Sequence, residues 1–160
     1  MLRSDRLLLR PAGDGDVNAV TRILCEPEVA RWWGSYDSGR VREELADTFV
    51  IELDGETVGW LQAHEQRDPD FPSVAFDIAL TTSAHGRGYG QEALRAAIRH
   101  YVERGHHRFT IDPAADNERA IRAYEAVGFK PVGILRAYER ASDGGWRDGL
   151  LMDLLASDLH

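Results

Sequence analysis

The sequence predicts an α+β fold in which helices flank a mixed, mainly antiparallel central sheet. Asp54-Gly55 separates two strand-like runs, and both residues suit the positive φ angles that a two-residue hairpin turn needs. An alternating strand from Val74, a glycine-rich turn and an amphipathic helix then follow one another. Two further strand-like runs close the chain. Strands and helices do not alternate regularly, so a doubly wound parallel sheet is not predicted.

The N-terminal segment predicts one strand and two helices. The run "RLLLRP" reads as a short strand that stops at Pro11. Asp14 or Asp16 can cap the next helix. Apolar residues of that helix recur at helical spacing: Val17, Val20, Ile23 and Leu24. The stretch "GRVREELAD" predicts another short helix, which precedes the hairpin "TFVIEL-DG-ETVGWLQAH".

The second half predicts the centre of the sheet. In "VAFDIAL", Asp77 shares a face with the small residues Ala75 and Ala79. The other face is apolar: Val74, Phe76, Ile78 and Leu80. The helix after the glycine turn has an apolar stripe and ends at Gly105. "RFTID" then predicts a strand, "NERAIRAYEAVG" a helix, and "FKPVGILRAYER" and "WRDGLLMDLL" two strands joined across "SDGG".

Composition limits the class of protein. A chain of 160 residues with 43% hydrophobic residues can bury a core, and we expect one domain over residues 1–160. No apolar run approaches the roughly 18 residues of a membrane span, and the start turns polar too soon for a secretory signal. Together with the single Cys25, expected to be a buried structural thiol, this favours a cytoplasmic location. The net charge of −8 disfavours nucleic acid as a partner and suits a cationic ligand.

The glycine turn "AHGRGYGQEAL" has the character of an anion site. Gly86, Gly88 and Gly90 open a helix, where free backbone N–H groups and the positive end of the helix dipole attract an anion. Their G-x-G-x-G spacing is not the dinucleotide fingerprint G-x-G-x-x-G, and no G-K-[ST] follows as in nucleoside-triphosphate sites. The alternative is a flexible turn with no ligand.

In its place between a strand and a helix, this turn resembles the [Q/R]-x-x-G-x-[G/A] signature of the GNAT superfamily of acetyl-CoA-dependent N-acetyltransferases. The resemblance extends over nearly the whole chain and implies a GNAT-type fold with acetyl-CoA as cosubstrate. It implies that the turn holds the CoA pyrophosphate through its backbone amides, with a histidine where the family has Gln or Arg. The residues concerned are His85, Gly86, Arg87, Gly88, Tyr89 and Gly90.

A second resemblance concerns the acceptor. "IDPAADNERAIRAYEAVGF" is similar to D-P-x-x-x-N-x-x-A-I-R-x-Y-E-x-x-G-F of aminoglycoside 6′-N-acetyltransferases, as are "ARWWG" and "FDIAL". This implies acetylation of a small polycationic amine, without a covalent enzyme intermediate, and a homodimer as an expectation. "RLLLRP" is instead common to the branch that includes ribosomal-protein N-acetyltransferases. A protein N-terminus as acceptor, or a CoA-binding sensor without activity, remain alternatives.

The resemblance also implies residue roles. Asp77 matches the family's functional Asp and is the first candidate for the base that deprotonates the amine, although it can instead bind an ammonium group. Asp112 is the second candidate, or a turn residue before Pro113. Tyr124 is the candidate general acid toward the CoA sulfur, with a core aromatic as the alternative. Asn117 matches a cofactor contact or is only a helix cap.

The substrate-binding prediction includes two tryptophans. Trp32 and Trp33 lie in a segment with loop character, where indoles can form a wall against a sugar or cationic ring, or pack in the core. Asp77 and Asp112 complete the predicted substrate site. Four acidic residues are candidates for additional negative charge: Asp37, Glu43, Glu44 and Asp143. Three histidines lack metal-ligand spacing and are expected at the surface, so no metal is predicted: His100, His106 and His107.

Overall fold

The computed structural model describes all 160 residues and contains a single eight-stranded sheet. Its strands are β1 (Leu2–Arg3), β2 (Leu7–Pro11), β3 (Thr48–Leu53), β4 (Glu56–Gln66), β5 (Ser73–Leu80), β6 (Arg108–Ile111), β7 (Lys130–Arg140) and β8 (Trp146–Leu155). The spatial order is β1-β2-β3-β4-β5-β6-β8-β7. Only β5 and β6 are parallel. The predicted α+β class, with a mixed and mainly antiparallel sheet, is confirmed.

Five helices cover the sheet: α1 (Val17–Leu24), α2 (Pro27–Trp33), α3 (Ser38–Glu43), α4 (Tyr89–Glu103) and α5 (Glu118–Val127). The loop character predicted for Trp32 and Trp33 is wrong, because both lie in α2. Pro27 occupies the first turn of this helix, and Gly34 follows its last residue with a φ of 81°. The helix has only seven residues and one buried residue, so it shows no hydrophobic period.

The core has two layers, one on each face of the sheet. Helices α4 and α5 pack on one face together with Val74 and Phe76 of β5, and the Phe76 ring stacks on Phe109 at 5.9 Å. Helices α1, α2 and α3 pack on the other face around Trp60 and Ala79. The alternation predicted for "VAFDIAL" is thus present in β5, but Ala79 on the small-residue face packs in a second core, which the pattern did not predict.

The turns that bound these elements lie where the sequence places them. Asp54 and Gly55, with φ angles of 52° and 83°, join β3 to β4. Gly105, with a φ of 98°, follows the end of α4. No helix combines the length and the apolar character that a membrane-spanning helix needs.

Two smaller predictions are wrong. Cys25 is exposed, because it follows the last turn of α1 beyond the buried stripe that ends at Leu24, and its Sγ lies 3.4 Å from the carbonyl oxygen of Tyr36. His106 is only 9% exposed. The turn at Gly105 directs the chain back over the sheet, where His106 Nε2 lies 3.1 Å from Glu65.

The sheet opens between β5 and β6. These strands pair only at Val74–Phe109 and Ala75–Thr110. Beyond this point β5 continues to Leu80 with no neighbour on that side, while β6 ends at Ile111. The two strands thus separate, and the gap between them is the place where the fold leaves room for a ligand.

Gly59 fixes the distance between β4 and the last residues of β5. A Cβ atom at this position would overlap the carbonyl oxygen of Ala79. We expect Gly59→Ala to lower the free energy of unfolding by about 1–3 kcal/mol, measured by urea denaturation, because backbone atoms must move. Gly133→Ala on β7, where a Cβ would meet nothing within 4 Å, is the control. Equal stability of the two variants would contradict this packing.

Candidate active site

A cavity of about 650 Å³ lies at the gap between β5 and β6. A second lobe of about 560 Å³ adjoins it and shares several lining residues, among them His64, Asp77 and Asp112. The volume is typical of small-molecule sites. The main cavity brings together every residue of the predicted site except Arg87: Trp32, Trp33, Asp77, His85, Gly86, Gly88, Tyr89, Gly90, Asp112, Asn117 and Tyr124.

The glycine turn presents unused backbone donors to one end of this cavity. Gly86 and Gly88 adopt φ angles of 75° and 81°, which side chains rarely tolerate, and Gly88 is the N-cap of α4. The N–H groups of residues 86–91 make no hydrogen bond to another backbone group. Gly90 needs no unusual φ. Free N–H groups at the start of a 15-residue helix form a site that suits a phosphate-like anion.

Arg6 holds this turn from outside. Its guanidinium lies 4.4 Å from the centre of the Tyr89 ring, pairs with Glu92 at 2.8 Å, and donates to the carbonyl oxygen of Arg87 at 3.3 Å. Burial raises the pKa of Glu92, but hydrogen bonds from Ser4 and Arg6 outweigh it and leave the pKa below its usual range. The start of the chain thereby supports the turn without using its free N–H groups.

His85 positions an arginine. Its Nε2 lies 2.8 Å from the carbonyl oxygen of Leu80, and its Nδ1 lies 2.8 Å from Nη1 of Arg119. A carbonyl only accepts and a guanidinium only donates, so this network requires a neutral imidazole with its proton on Nε2. Both ring nitrogens are occupied by protein groups, and Arg119, which the sequence did not indicate, lines the cavity.

Helix α2 is tied to the sheet at both ends. Glu26, its N-cap, accepts hydrogen bonds from the Thr81 hydroxyl and from the hydroxyl and backbone N–H of Thr82, at 2.6 to 2.8 Å. Burial raises the pKa of Glu26, but these donors lower it more. At the other end Arg147 of β8 donates to the carbonyl oxygens of Arg31 and Trp32. The helix therefore holds its tryptophans at a fixed place beside the gap.

A cluster of three aromatic side chains packs beside α2 and forms part of the cavity wall. Trp33, Tyr36 and Trp60 lie with ring centroids 5.7 to 6.0 Å apart. Trp60 is fully buried, whereas Trp33 and Tyr36 line the cavity. The Tyr36 hydroxyl donates to Glu44 at 2.9 Å. Trp33 therefore packs in this aromatic cluster and also lines the cavity, and its contact with a substrate ring stays a prediction.

Asp77 lies in the gap on the small-residue face of β5. Its carboxylate is 3.2 Å from Nε2 of His64 on β4, and both side chains are about half exposed. The hydrogen bond to Asp77 raises the pKa of His64, although burial opposes it, and the charges of Glu44 and Asp47 add to the rise. Asp77 is therefore part of a His–Asp pair that faces both lobes.

Asp112 lies directly after β6, opposite Asp77. Burial raises its pKa, and a hydrogen bond from the Tyr138 hydroxyl, at 2.6 Å, lowers it in part. The same hydrogen bond raises the pKa of Tyr138 to about 12. Asp112 is thus a partly desolvated carboxylate with one strong donor.

Tyr124 and Asn117 belong to α5. The Tyr124 ring packs edge-on against Phe129 at 6.3 Å and also lines the cavity. Burial raises the pKa of Tyr124, so its phenol keeps its proton at neutral pH. Asn117 caps α5, because its Oδ1 accepts from the N–H of Ala120 at 3.3 Å, and it lines the cavity as well.

The charge of the site is uneven. The second lobe has three carboxylates in its lining, Asp77, Asp112 and Glu139, and neither Lys nor Arg. The main cavity adds Glu28 and Glu44 but also three arginines: Arg40, Arg119 and Arg122. One end of the combined space therefore suits an anion and the other a cation.

The sequence left several of these groups unassigned. Asp37 caps α3, and Asp143 accepts from Gly145 N–H in the β7–β8 turn, so of the four additional acidic candidates only Glu44 reaches the cavity. His64, Tyr138 and Glu139 were missed because they lie on strands outside the motifs, and no local pattern marks them.

We expect Asp77→Asn to lower the pKa of His64, since a neutral amide favours the imidazolium less than a carboxylate does. The measurement is an NMR titration of the His64 imidazole, whose signal is identified by its absence in His64→Gln. Asp54→Asn in the β3–β4 turn, where Asn also tolerates positive φ, is the control and should leave His64 unchanged. A His64 pKa that does not respond to Asp77→Asn would contradict the pairing.

A family model and several known proteins, all acetyltransferases, match this chain. The family model "Acetyltransferase (GNAT) domain" matches residues 6–130. A mycothiol acetyltransferase from Corynebacterium aurimucosum is 36% identical over 70 residues, which cover 44% of this chain and 23% of that protein. Aminoglycoside N(6')-acetyltransferase type 1 from Klebsiella pneumoniae is 23% identical over 155 residues, covering 81% of this chain and 77% of that protein.

A solved structure agrees with the fold. RimJ from Mycobacterium smegmatis, in complex with CoA-disulfide, has a TM-score of 0.83 and 27% identity, covering 99% of this chain and 87% of that one.

The match to the mycothiol acetyltransferase spans less than a quarter of that relative's length. The family match, in contrast, extends from the β1–β2 turn to the start of β7. This chain therefore belongs to the GNAT acetyltransferase family.

Proposed function

We propose that this protein transfers an acetyl group from acetyl-CoA to a primary amine of a small polycationic substrate, most simply the 6′-amine of an aminoglycoside. One observation carries the proposal: a single gap in the sheet joins an anion site at the start of α4 to an acidic lobe around Asp77 and Asp112. A pyrophosphate-bearing donor and a cationic acceptor would thus meet at the gap.

The donor end fits CoA. The free N–H groups of residues 86–91 suit its pyrophosphate, and Arg119 and Arg122 add positive charge nearby. From there an extended thioester arm would lie along β5, whose edge beyond Ala75 has no strand partner. The amides of that arm can then bond to β5 as an added strand would.

The acceptor end supplies the proton chemistry. An alkylammonium with a pKa of about 10 is nearly all protonated at neutral pH, so a base must act before attack. Asp77, directly or through a water, takes this proton, and the neutral amine nitrogen then attacks the thioester carbon. Burial keeps the Tyr124 phenol protonated at neutral pH, so it can donate its proton to the sulfur as the C–S bond breaks. The phenol oxygen then recovers a proton from the nitrogen, which must lose one as the amide forms. Asp112 binds the cationic substrate or replaces Asp77 as base.

The N-terminal amine of a protein is the second candidate acceptor, and the opening "RLLLRP" supports it. We also propose a cytoplasmic location, in keeping with acetyl-CoA as donor, and a homodimer in which the exposed edge strand β7 takes part.

The test is a thiol-release assay with acetyl-CoA against aminoglycosides, simple polyamines and ribosomal N-terminal peptides. Release of CoA with aminoglycosides, and mass-spectrometric detection of a product heavier by one acetyl group, is the expected result. Turnover on peptides alone would contradict the proposed substrate and favour a protein N-terminus as the acceptor. Tight CoA binding with no thiol release on any amine would favour a sensor and contradict the proposed activity.

We expect Gly88→Val to weaken CoA binding at least tenfold, measured by calorimetry, because a β-branched residue at φ 81° moves the free N–H groups. Gly105→Val carries a similar strain, at φ 98°, at the other end of α4 and serves as the matched control. The control should lose stability but keep its affinity for CoA. Equal affinities of both variants would contradict the placement of the pyrophosphate.

We expect Asp77→Asn to reduce kcat/KM by about 10²–10⁴-fold, the usual contribution of a general base. Steady-state kinetics at neutral pH measure this effect. Asp143→Asn, outside the cavity, should leave the rate unchanged. A near-normal rate for Asp77→Asn would remove Asp77 from the role of base.

A further inference from the structure

Strand β7 contains a large bulge beside the acidic lobe. Leu135 pairs with Gly149 and Glu139 with Arg147, so three residues of β7 stand opposite Asp148 alone. Within the bulge Ala137 has a φ of 47°, in the left-handed region that residues other than Gly, Asn and Asp seldom adopt. Such a conformation persists only where the surroundings hold it.

Two neighbouring residues of β8 hold this bulge. The carboxylate of Asp148 accepts a hydrogen bond from the N–H of Ala137 at 2.8 Å, at the strained position itself. Gly149 leaves the space that the Tyr138 ring occupies: a Cβ atom there would lie 2.9 Å from Cδ2 of Tyr138, closer than real contacts allow. The backbone and the ring of the bulge are therefore fixed by separate contacts.

The result of the bulge is the position of one hydroxyl. Tyr138 lines the second lobe and donates to Oδ2 of Asp112 at 2.6 Å. The bulge adds two residues to β7, so a strand without it would place Tyr138 two positions away along β8 and out of reach of Asp112. The extra residues of the bulge thus determine which side chain meets Asp112.

We propose that Tyr138 is a positioning residue for Asp112. The β7 bulge places the Tyr138 hydroxyl so that it holds the Asp112 carboxylate, in its charged form, toward the lobe that takes the amine. The inference rests on the proposed acetyl transfer. It adds to that activity a residue, and a structural device, that neither the glycine turn nor the α5 motif indicates.

The electrostatics of the lobe explain why Asp112 needs such a donor. Burial raises the pKa of Asp112, and the carboxylates of Asp77 on β5 and Glu139 on β7 raise it further. Two other titratable groups are near: His64 of β4 lines the same lobe, and Tyr124 of α5 lines the adjoining main cavity. Tyr138 supplies the side-chain hydrogen bond that lowers the pKa. Removal of the Tyr138 hydroxyl should therefore raise the pKa of Asp112. Because Asp112 is mostly charged only above its pKa, the acid limb of the pH–activity profile should move to higher pH.

The first experiment is Tyr138→Phe, which removes the hydroxyl and keeps the ring. An NMR titration of the Asp112 carboxyl carbon, assigned with Asp112→Asn, should show a higher pKa in Tyr138→Phe than in the wild type. On the acid limb kcat/KM for the amine should fall about tenfold, with CoA affinity unchanged, as expected for one hydrogen bond to a charged group. Tyr101→Phe removes a hydroxyl from the core outside the cavity and should change neither quantity.

The second variant tests the geometry. Gly149→Ala keeps the Tyr138 hydroxyl but displaces its ring, so it should raise the Asp112 pKa in the same direction. An Asp112 pKa and an acid limb that are unchanged in both folded variants would overturn the proposal. If Gly149→Ala does not fold, Tyr138→Phe decides alone. The NMR titration needs no turnover, so absence of acetyl transfer would refute the proposed function while the Tyr138–Asp112 coupling is still judged by its own measurement.

Discussion

The separation of β5 from β6 after two paired residues determines where everything else in the site lies. If the parallel pair continued, both edges of β5 would be hydrogen-bonded in the sheet, and no gap would remain beside Asp77. Because it stops at Ala75–Thr110, the last part of β5 leads to the glycine turn while β6 leads to Asp112. The N-terminus of α4 and two carboxylates therefore border one gap, and opposite charges can be presented to two ligands at once.

An open sheet must be held open, and side chains around the gap do this. Glu26 fastens α2 to the end of β5, and the His85–Arg119 pair connects that end to α5. On the far side Tyr138 connects β7 to Asp112. Most of these contacts are charge-assisted or short hydrogen bonds, which are stronger and more directional than ordinary ones. The gap is thus a fixed feature of the fold, which is what a site that must align two substrates requires.

The sequence predicts the parts of this arrangement that depend on neighbouring residues. The Asp54-Gly55 turn, the alternation in β5 and the glycines before α4 each have a local physical cause, and each lies where predicted. Helix α2 escaped prediction because seven residues with one buried contact show no period. His64, Arg119 and Tyr138 act on residues 13 to 34 positions away in the chain, and only the fold brings such pairs together. The resemblance of the motifs indicated Asp77 and Asp112, but not the side chains that contact them, His64 and Tyr138.

The most direct test of this account is a crystal structure of the protein with CoA. The account predicts the pyrophosphate on the backbone N–H groups of residues 86–91, and the thiol end of the molecule between β5 and β6, within reach of Tyr124. CoA bound away from the start of α4, or a gap between β5 and β6 that stays empty while CoA is bound, would contradict it.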